Sequence, residues 1–251
     1  MLIEETFLDF KCPYCGEPNS VPQTTVGKLQ ECFNCLESLI VPEVGSEFAH
    51  KLPFPLQTTR LILRRFTSGD WKDMLELAKD DEFPVCWDGL TVVLPAETVS
   101  EESVLRWLQS DSLIKLTSPG QPFRLAIELK DGGKLAGYVR FNFMDPENLQ
   151  GWFEINLHHV HQRKDYGSEA VNALLGFCFN TLGLHRVATN FDSRNRAASH
   201  LCEKLGMRRE AEFVKDCCFD GEWRNTVWYG ILEEEYCDDS AEAPGSAEDP
   251  A

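Results

Sequence analysis

Two cysteine pairs near the amino terminus constrain the fold of this chain more than any other feature. Cys12 and Cys15 form one CxxC pair, Cys32 and Cys35 form a second, and sixteen residues separate them. A CxxC turn points two thiolates at one ion, and two such turns complete a tetrahedron. The spacing therefore predicts a metal site with four cysteine ligands.

Residues 1–45 are predicted to form a zinc ribbon around this site. Short strands are expected over residues 6–11 and 36–41, and Gly16 follows the first pair. Because the segment has few large apolar side chains, the metal would supply much of its folding free energy. Zinc is the predicted ion. Iron in a rubredoxin-like site and four unrelated free thiols are the alternatives.

The rest of the chain divides into three parts. Residues 46–55 combine proline and glycine with little periodicity, which predicts a linker. Residues 56–236 read as strand, two helices, three strands, helix, strand, helix and two strands. Residues 237–251 are acidic and of low complexity, which predicts a disordered tail.

The formal net charge of −17 is concentrated at the two ends of the chain. Residues 1–45 carry −5 and residues 233–251 carry −8. Nucleic-acid binding relies on lysine and arginine, so we expect no nucleic-acid partner, and a cationic substrate or partner fits better. No apolar run reaches the roughly 18 residues of a membrane span, and the first residues do not resemble a signal peptide. We therefore expect a cytoplasmic protein with no membrane partner.

Three local patterns indicate a family. They are Thr-Thr-Arg-Leu-Ile-Leu-Arg at residues 58–64, an Asn-Arg-Ala-Ala-Ser to Glu-Lys-Leu-Gly-Met run at residues 195–207, and Asp-Gly-Glu-Trp-Arg-Asn at residues 220–225. Together with the order of elements they resemble the GNAT superfamily, in its RimJ/RimL-type branch of ribosomal-protein N-acetyltransferases.

The resemblance implies an α+β fold with a mixed central sheet flanked by helices. It also implies transfer of an acetyl group from acetyl-CoA to a primary amine. A protein N-terminus is the acceptor that the branch favours, and a polyamine or an aminoglycoside is the alternative. A homodimer is a further expectation, with the zinc ribbon as a docking or dimerising element.

A loop that opens a helix can hold a pyrophosphate, because its N–H groups are unpaired and the helix dipole is positive there. The resemblance assigns this role, toward coenzyme A, to Gln162, Arg163, Lys164, Asp165, Tyr166, Gly167 and Ser168. Asp165 stands where the family has its first glycine. Aspartate tolerates a positive φ, but its charge is expected to weaken binding unless Arg163 and Lys164 offset it.

The resemblance also implies catalytic residues. Glu154 is the candidate base, on the polar face of a predicted strand over residues 152–160, and a solvated strand glutamate is the alternative. Cys202 occupies the position of a thiolate-protonating tyrosine, with packing in the core as its alternative. Ser199 lies one place beyond the family serine, and Asn195 is the expected contact to the pantetheine arm.

Two further readings remain open at this point. Asp165, Ala198 and Cys202 depart from the family pattern, which leaves a catalytically silent binding protein of the same fold as the rival hypothesis. His158, His159 and His161 are expected to line the acyl-CoA cleft, because neighbouring strand residues face opposite ways and disfavour a shared metal.

Overall fold

The computed structural model describes residues 6–35, 37–47, 49–51, 54–80, 85–87, 90–92, 99–112, 123–145, 148–219 and 221–237. The helices in these ranges are α1 (Trp71–Ala78), α2 (Glu101–Ser112), α3 (Tyr166–Gly176) and α4 (Arg196–Lys204). The strands are β1 (Phe7–Lys11), β2 (Pro18–Pro22), β3 (Leu29–Glu31), β4 (Ser38–Ile40), β5 (His50–Lys51), β6 (Leu56–Gln57), β7 (Leu61–Arg64), β8 (Val85–Trp87), β9 (Leu90–Val92), β10 (Phe123–Leu129), β11 (Leu135–Asp145), β12 (Gln150–Leu157), β13 (Arg186–Asp192), β14 (Arg208–Phe219) and β15 (Glu222–Leu232).

The main sheet has eight strands in the order β14-β15-β13-β12-β11-β10-β7-β6. Its neighbours pair antiparallel except β12 and β13, which pair parallel. The predicted mixed sheet flanked by helices is therefore confirmed.

Both faces of this sheet are covered. Leu125, Val139 and Phe153 pack on one face with the apolar side of α3. Ala126 and Tyr138 pack on the other face, with α1 and α2. Because successive strand residues point to opposite faces, β10 is buried at five positions in a row. Polar side chains on the second face of β11 and β12 are consequently held close to the interior.

Two of the described helices, α2 and α4, begin with side-chain caps. Ser100 and Ser103 exchange hydrogen bonds ahead of α2, with Ser103 N donating to Ser100 Oγ at 3.2 Å and Ser100 N to Ser103 Oγ at 3.0 Å. Asn195 caps α4 by accepting from Ala198 N at 3.0 Å, and Gly206 follows that helix with a φ of 75°.

The strand predicted over residues 152–160 is shorter than expected. β12 ends at Leu157, and His159–His161 form a 3-10 turn. Gln162 Nε2 donates to Leu157 O at 3.0 Å, and Val160 N donates to His158 Nδ1 at 3.3 Å. These local bonds replace the strand ladder and bend the chain toward α3.

The amino-terminal region forms two small sheets, β1-β2 and β3-β4-β5. Residues 46–55, predicted as a linker, contain β5, which pairs with β4. Ala49 is buried in the small core and its N–H donates to Lys11 O at 3.0 Å. The small region therefore extends to Lys51. The sequence did not predict this extension, because a two-residue strand is too short to show any periodicity. Phe54 then packs edge-on against Phe177, with ring centroids 4.8 Å apart.

No helix within the described ranges is long and apolar enough to cross a membrane. Of the predicted tail, residues 237–251, only Cys237 lies inside the described ranges.

Candidate functional site

A fork in the main sheet is the centre of the candidate site. Residues 150–152 of β12 pair with residues 186–188 of β13, and the two strands separate after Trp152 and Ala188. Thr189 Oγ1 donates to Phe153 O at 2.8 Å just after the last pair. Main-chain groups alternate in direction along a strand, so those of Ile155 face the same open edge as Phe153 O. The fork thus offers a free strand edge to an extended ligand.

A loop at the end of β12 leads into α3, and we call its residues 163–168 the candidate anion site. Asp165 precedes the helix in a left-handed conformation, with φ 63° and ψ 6°, and Arg163 also has a positive φ. Glu169 N, which donates to Asp165 O at 3.1 Å, makes the first bond of the helical pattern. The N–H groups of residues 166–168 precede that bond, and Asp165 provides them no side-chain cap. Three donors therefore point out of the positive end of α3.

Arg60 braces this loop from the start of β7. Its Nε donates to Glu169 Oε2 at 2.6 Å, one terminal nitrogen donates to Lys164 O at 3.0 Å, and the guanidinium lies 4.6 Å from the Tyr166 ring centroid. Burial opposes ionisation of Glu169, but hydrogen bonds from Thr58 and Arg60 outweigh it and lower the pKa of this carboxyl. Sequence reasoning missed this brace, because Arg60 and Glu169 lie 109 residues apart.

Lys204, at the end of α4, neutralises the unusual aspartate of the loop. Its Nζ lies 2.7 Å from Asp165 Oδ1, and this hydrogen bond lowers the pKa of the Asp165 carboxyl. The expectation that Arg163 and Lys164 offset the charge is corrected here, because the Asp165 side chain reaches the last turn of α4 instead. The loop can therefore carry a carboxylate next to its three N–H donors.

A cavity of about 420 Å³ adjoins the anion site. Its walls come from the start of α3, the end of α4 and the end of the described chain, and they include Arg60, Ser168, Lys204, Leu205 and Tyr236. The volume is within the range of small-molecule sites.

Glu154 lies on β12 just beyond the fork. Its side chain is 17% exposed and is on the face opposite Phe153, as the strand periodicity predicts. Asn156 Nδ2 donates to Glu154 Oε1 at 3.0 Å, and a terminal nitrogen of Arg140 lies 3.8 Å from Glu154 Oε2. This arrangement fixes the carboxylate beside the open strand edge, where it can accept a proton directly or through one water.

The structure does not support a catalytic role for Cys202. The residue is 1% exposed and belongs to the main hydrophobic core, and burial raises the pKa of its thiol to about 12. A ligand in the fork would reach this thiol only after the core repacked, so the packing alternative describes Cys202 better.

Ser199 and Asn195 lie at the start of α4. Ser199 Oγ donates to Asn195 O at 3.3 Å within the helix, and Asn195 is exposed. The cap at Asn195 orders the end of α4 nearest to β13, which is the second arm of the fork.

Two of the three histidines, His158 and His159, face away from the fork. His159 Nδ1 lies 2.9 Å from Asp80 Oδ2, and His158 Nε2 lies 3.7 Å from the same oxygen. The rings of His158 and His159 stack with centroids 4.4 Å apart. The expectation that these side chains line the cleft fails for His158 and His159, because the 3-10 turn directs them to the chain after α1.

The four cysteines of the amino-terminal region lie together. The sulfurs of Cys12 and Cys35 are 3.7 Å apart, as are those of Cys15 and Cys32, and all four lie within 4.8 Å of one another. A disulfide needs about 2.05 Å. Four sulfurs at about 2.3 Å from one metal lie about 3.8 Å apart, which matches the observed spacing.

Nearby N–H groups donate to sulfurs of this cluster, including those of Cys12 and Cys32. Tyr14 N donates to Cys12 Sγ and Asn34 N to Cys32 Sγ, both at 3.4 Å, and Asn19 Nδ2 donates to Cys32 Sγ at 3.5 Å. Burial opposes ionisation of Cys32, but main-chain donors and the Asn19 amide outweigh it and lower its pKa to about 6. The donor set fits a tetrahedral four-thiolate metal site.

Comparison with known proteins defines the class of this enzyme. Residues 60–208 match the family described as the acetyltransferase (GNAT) domain, which is more than half of the chain. The protein belongs to the GNAT acetyltransferase family. It is an acetyl-CoA-dependent N-acetyltransferase, which confirms the predicted enzyme class.

Individual relatives agree with this assignment. The chain is 28% identical over 184 residues to the uncharacterized N-acetyltransferase YnaD of Bacillus subtilis (strain 168), covering 72% of this chain and 98% of that protein. It is 25% identical over 104 residues to the spermidine N(1)-acetyltransferase of Escherichia coli (strain K12), covering 41% and 56%. The crystal structure of an acetyltransferase (GNAT family) from Bacillus anthracis is similar with a TM-score of 0.60 and 26% identity, covering 72% and 99%.

Proposed function

We propose that this N-acetyltransferase acetylates the α-amino group of a protein N-terminus, as the resemblance to the RimJ/RimL-type branch implies. The resemblance carries the choice of acceptor, and the pairing of two structural features supports acetyl transfer from acetyl-CoA. The fork between β12 and β13 provides an open strand edge, and the first turn of α3 provides three unpaired N–H groups beside it.

The anion site accounts for cofactor binding. The N–H groups of Tyr166, Gly167 and Ser168 would hold the pyrophosphate of acetyl-CoA, and the helix dipole would favour its charge. Lys204 lies close enough to Asp165 to neutralise it, so the aspartate weakens cofactor binding without abolishing it. The pantetheine arm would extend along the open edge of β12 toward Glu154, and Asn195 would contact it from α4.

The chemistry follows from the positions around the fork. The nitrogen of the neutral amine attacks the thioester carbonyl carbon, forming a C–N bond, and the C–S bond breaks. The N–H of Ile155 would stabilise the oxyanion of the intermediate. Glu154 takes the amine proton, directly or through a water, and the departing thiolate takes a proton from solvent.

A polyamine is the second candidate acceptor. It is favoured by the similarity to a spermidine N(1)-acetyltransferase and by the net charge of −17, which attracts a polycation. A catalytically silent protein is the rival from another class, because Asp165 and Cys202 depart from the family pattern.

We further propose that Cys12, Cys15, Cys32 and Cys35 hold one structural zinc ion in a zinc ribbon. The spacing of their sulfurs supports this, although iron would use the same ligands. The ribbon would serve for docking or for forming a homodimer. Nine cysteines of the described ranges, all but Cys86, are free of disulfide bonds, which fits the predicted cytoplasmic location.

Calorimetry with acetyl-CoA and a thiol-release assay test the proposed function. The acceptors are a peptide with a free N-terminus, spermidine and an aminoglycoside. We expect acetyl-CoA binding, turnover of the peptide, and a loss of about 100-fold in kcat for Glu154→Gln. The exposed Glu102→Gln is the matched control and is expected to keep full activity. Binding of acetyl-CoA without turnover of any amine would support the silent protein instead.

A further inference from the structure

A polar patch on the second face of the main sheet lies next to Glu154. Its members occupy facing positions of two strands, since Arg140 lies opposite Glu154 and Asn142 lies opposite Trp152. The guanidinium of Arg140 lies over the Trp152 ring, 5.8 Å from its centroid. We call Arg140, Asn142 and Trp152 the acceptor patch.

Three polar atoms of the acceptor patch are buried without a hydrogen-bond partner. They are Arg140 Nε, Trp152 Nε1 and Asn142 Oδ1, two donors and one acceptor. Arg140 as a whole is only 9% exposed. Buried polar atoms are almost always paired in native proteins, because an unpaired one costs free energy. Three of them on neighbouring positions therefore point to a ligand that pairs with them.

We infer that the acceptor patch recognises the main chain of the substrate's first residues, so that the acceptor is a primary amine flanked by peptide groups. This inference rests on the proposed function and names the residues that would set its specificity. A peptide group supplies a carbonyl oxygen for the donors of Arg140 and Trp152. It also supplies an N–H for Asn142 Oδ1.

A polyamine cannot supply the same partners. Its ammonium and amine groups at neutral pH act as donors, so they would leave the donors of Arg140 and Trp152 unpaired. They would also bring positive charge toward the Arg140 guanidinium, which is unfavourable at a site held away from water. The patch therefore selects for carbonyl oxygen close to the reacting amine.

The position of the patch suits the reaction. Glu154 follows Trp152 by two residues on the same face, and it is the carboxylate beside the fork. An amine that reaches Glu154 places its next main-chain groups over Trp152 and Arg140. The side chains of Trp152 and Arg140 cover one another, and Trp152 is partly exposed. A movement of the Trp152 ring would therefore open Trp152 Nε1 and Arg140 Nε to a ligand.

Substitution of Trp152 by phenylalanine removes one donor and keeps an aromatic ring. We expect Trp152→Phe to raise the KM for an alanine-led hexapeptide amide by about 3-fold to 10-fold with little change in kcat, the effect of one lost hydrogen bond. The KM for spermidine should not change. The exposed Trp223→Phe is the matched control, with no expected effect on either acceptor.

Arg140→Lys is the second variant, in case Trp152→Phe does not fold. It keeps the charge and removes the Nε donor, so the KM should rise for the peptide and not for spermidine. Because Arg140 also lies 3.8 Å from Glu154, kcat should fall for both acceptors. The exposed Arg106→Lys should change nothing. Thermal unfolding and the Kd for acetyl-CoA verify that each variant is folded.

Three results separate the hypotheses. A peptide-specific rise in KM supports the inference. Turnover that prefers spermidine, or an equal rise in KM for both acceptors, overturns the inference while the N-acetyltransferase assignment stands. Turnover of no amine by the unmodified protein refutes the proposed function, and the inference fails with it.

Discussion

Replacing Thr189 by valine tests whether the fork is built as described. Thr189 is 5% exposed, and its Oγ1 donates to Phe153 O at 2.8 Å immediately beyond the last pair of β12 and β13. Valine keeps the shape of the side chain and removes the donor. Phe153 O then remains in the interior without this partner.

The magnitude follows from that loss. A buried carbonyl oxygen left without its partner costs about 1–3 kcal/mol. In a protein of this size each kcal/mol lowers Tm by about 2–4 °C, so Thr189→Val should lower Tm by about 2–12 °C. Without this hydrogen bond, β12 and β13 should separate one residue earlier, which displaces the Ile155 N–H. Because the Ile155 N–H is the proposed oxyanion donor, kcat should fall about tenfold.

Thr189→Ser is the matched control, because it keeps the hydroxyl and loses only a methyl group. We expect a stability loss of about 1 kcal/mol for serine and kcat close to that of the unmodified enzyme. Thermal unfolding and the thiol-release assay measure both quantities. If valine and serine variants have the same Tm and the same kcat, the hydrogen bond at the apex of the fork has no role and the reasoning is refuted.

Four further predictions concern the loop and the cysteines. A Cβ at Gly167 would lie 3.0 Å from Leu201 Cδ1, so Gly167→Ala should shift α3 and raise the Kd for acetyl-CoA about fivefold. Gly69→Ala is the control, because its Cβ would make only an ordinary contact of 3.5 Å with Thr67 Oγ1, and it should leave this Kd unchanged in calorimetry. Lys204→Gln should raise this Kd, because the Asp165 carboxylate loses its cationic partner. Asp165→Gly should lower the Kd, because it removes the carboxylate from the anion site. An unchanged Kd for Asp165→Gly contradicts this account. X-ray absorption should find four sulfurs about 2.3 Å from one zinc ion, and Cys32→Ser should lose that ion in metal analysis. The pKa of Cys202 is raised to about 12 from an ordinary 9.0, so its contribution to stability is complete below about pH 9 and decreases toward pH 12. Denaturant unfolding of Cys202→Ala should show a smaller alkaline loss, with no change in the pH profile of kcat.

Local sequence signals predicted most of the fold. Asn195 and Gly206 lie at the two ends of α4, where residues of these two types are typical. The alternation along β10 and β12 assigned Phe153 and Glu154 to opposite faces, because the side-chain period of a strand is fixed by its geometry. Asp165 has the positive φ that aspartate was expected to tolerate at this position.

The contacts that shape the site could not be predicted in this way. Lys204 meets Asp165 across 39 residues and Arg60 meets Glu169 across 109, and neither pair has a spacing that a single sequence reveals. The turn at His159–His161 was missed because side-chain bonds, rather than periodicity, end β12. The unpaired polar atoms of the acceptor patch could not be predicted either, because pairing depends on the three-dimensional surroundings of each atom.

The central claim is that main-chain N–H groups at the start of α3 hold the pyrophosphate of acetyl-CoA. A crystal structure of the complex with coenzyme A tests it most directly. The account predicts phosphate oxygens about 2.7–3.2 Å from the nitrogens of Tyr166, Gly167 and Ser168, with the pantetheine arm along Ile155. A pyrophosphate bound elsewhere, or an Asp165 carboxylate that occupies its place, would contradict the account.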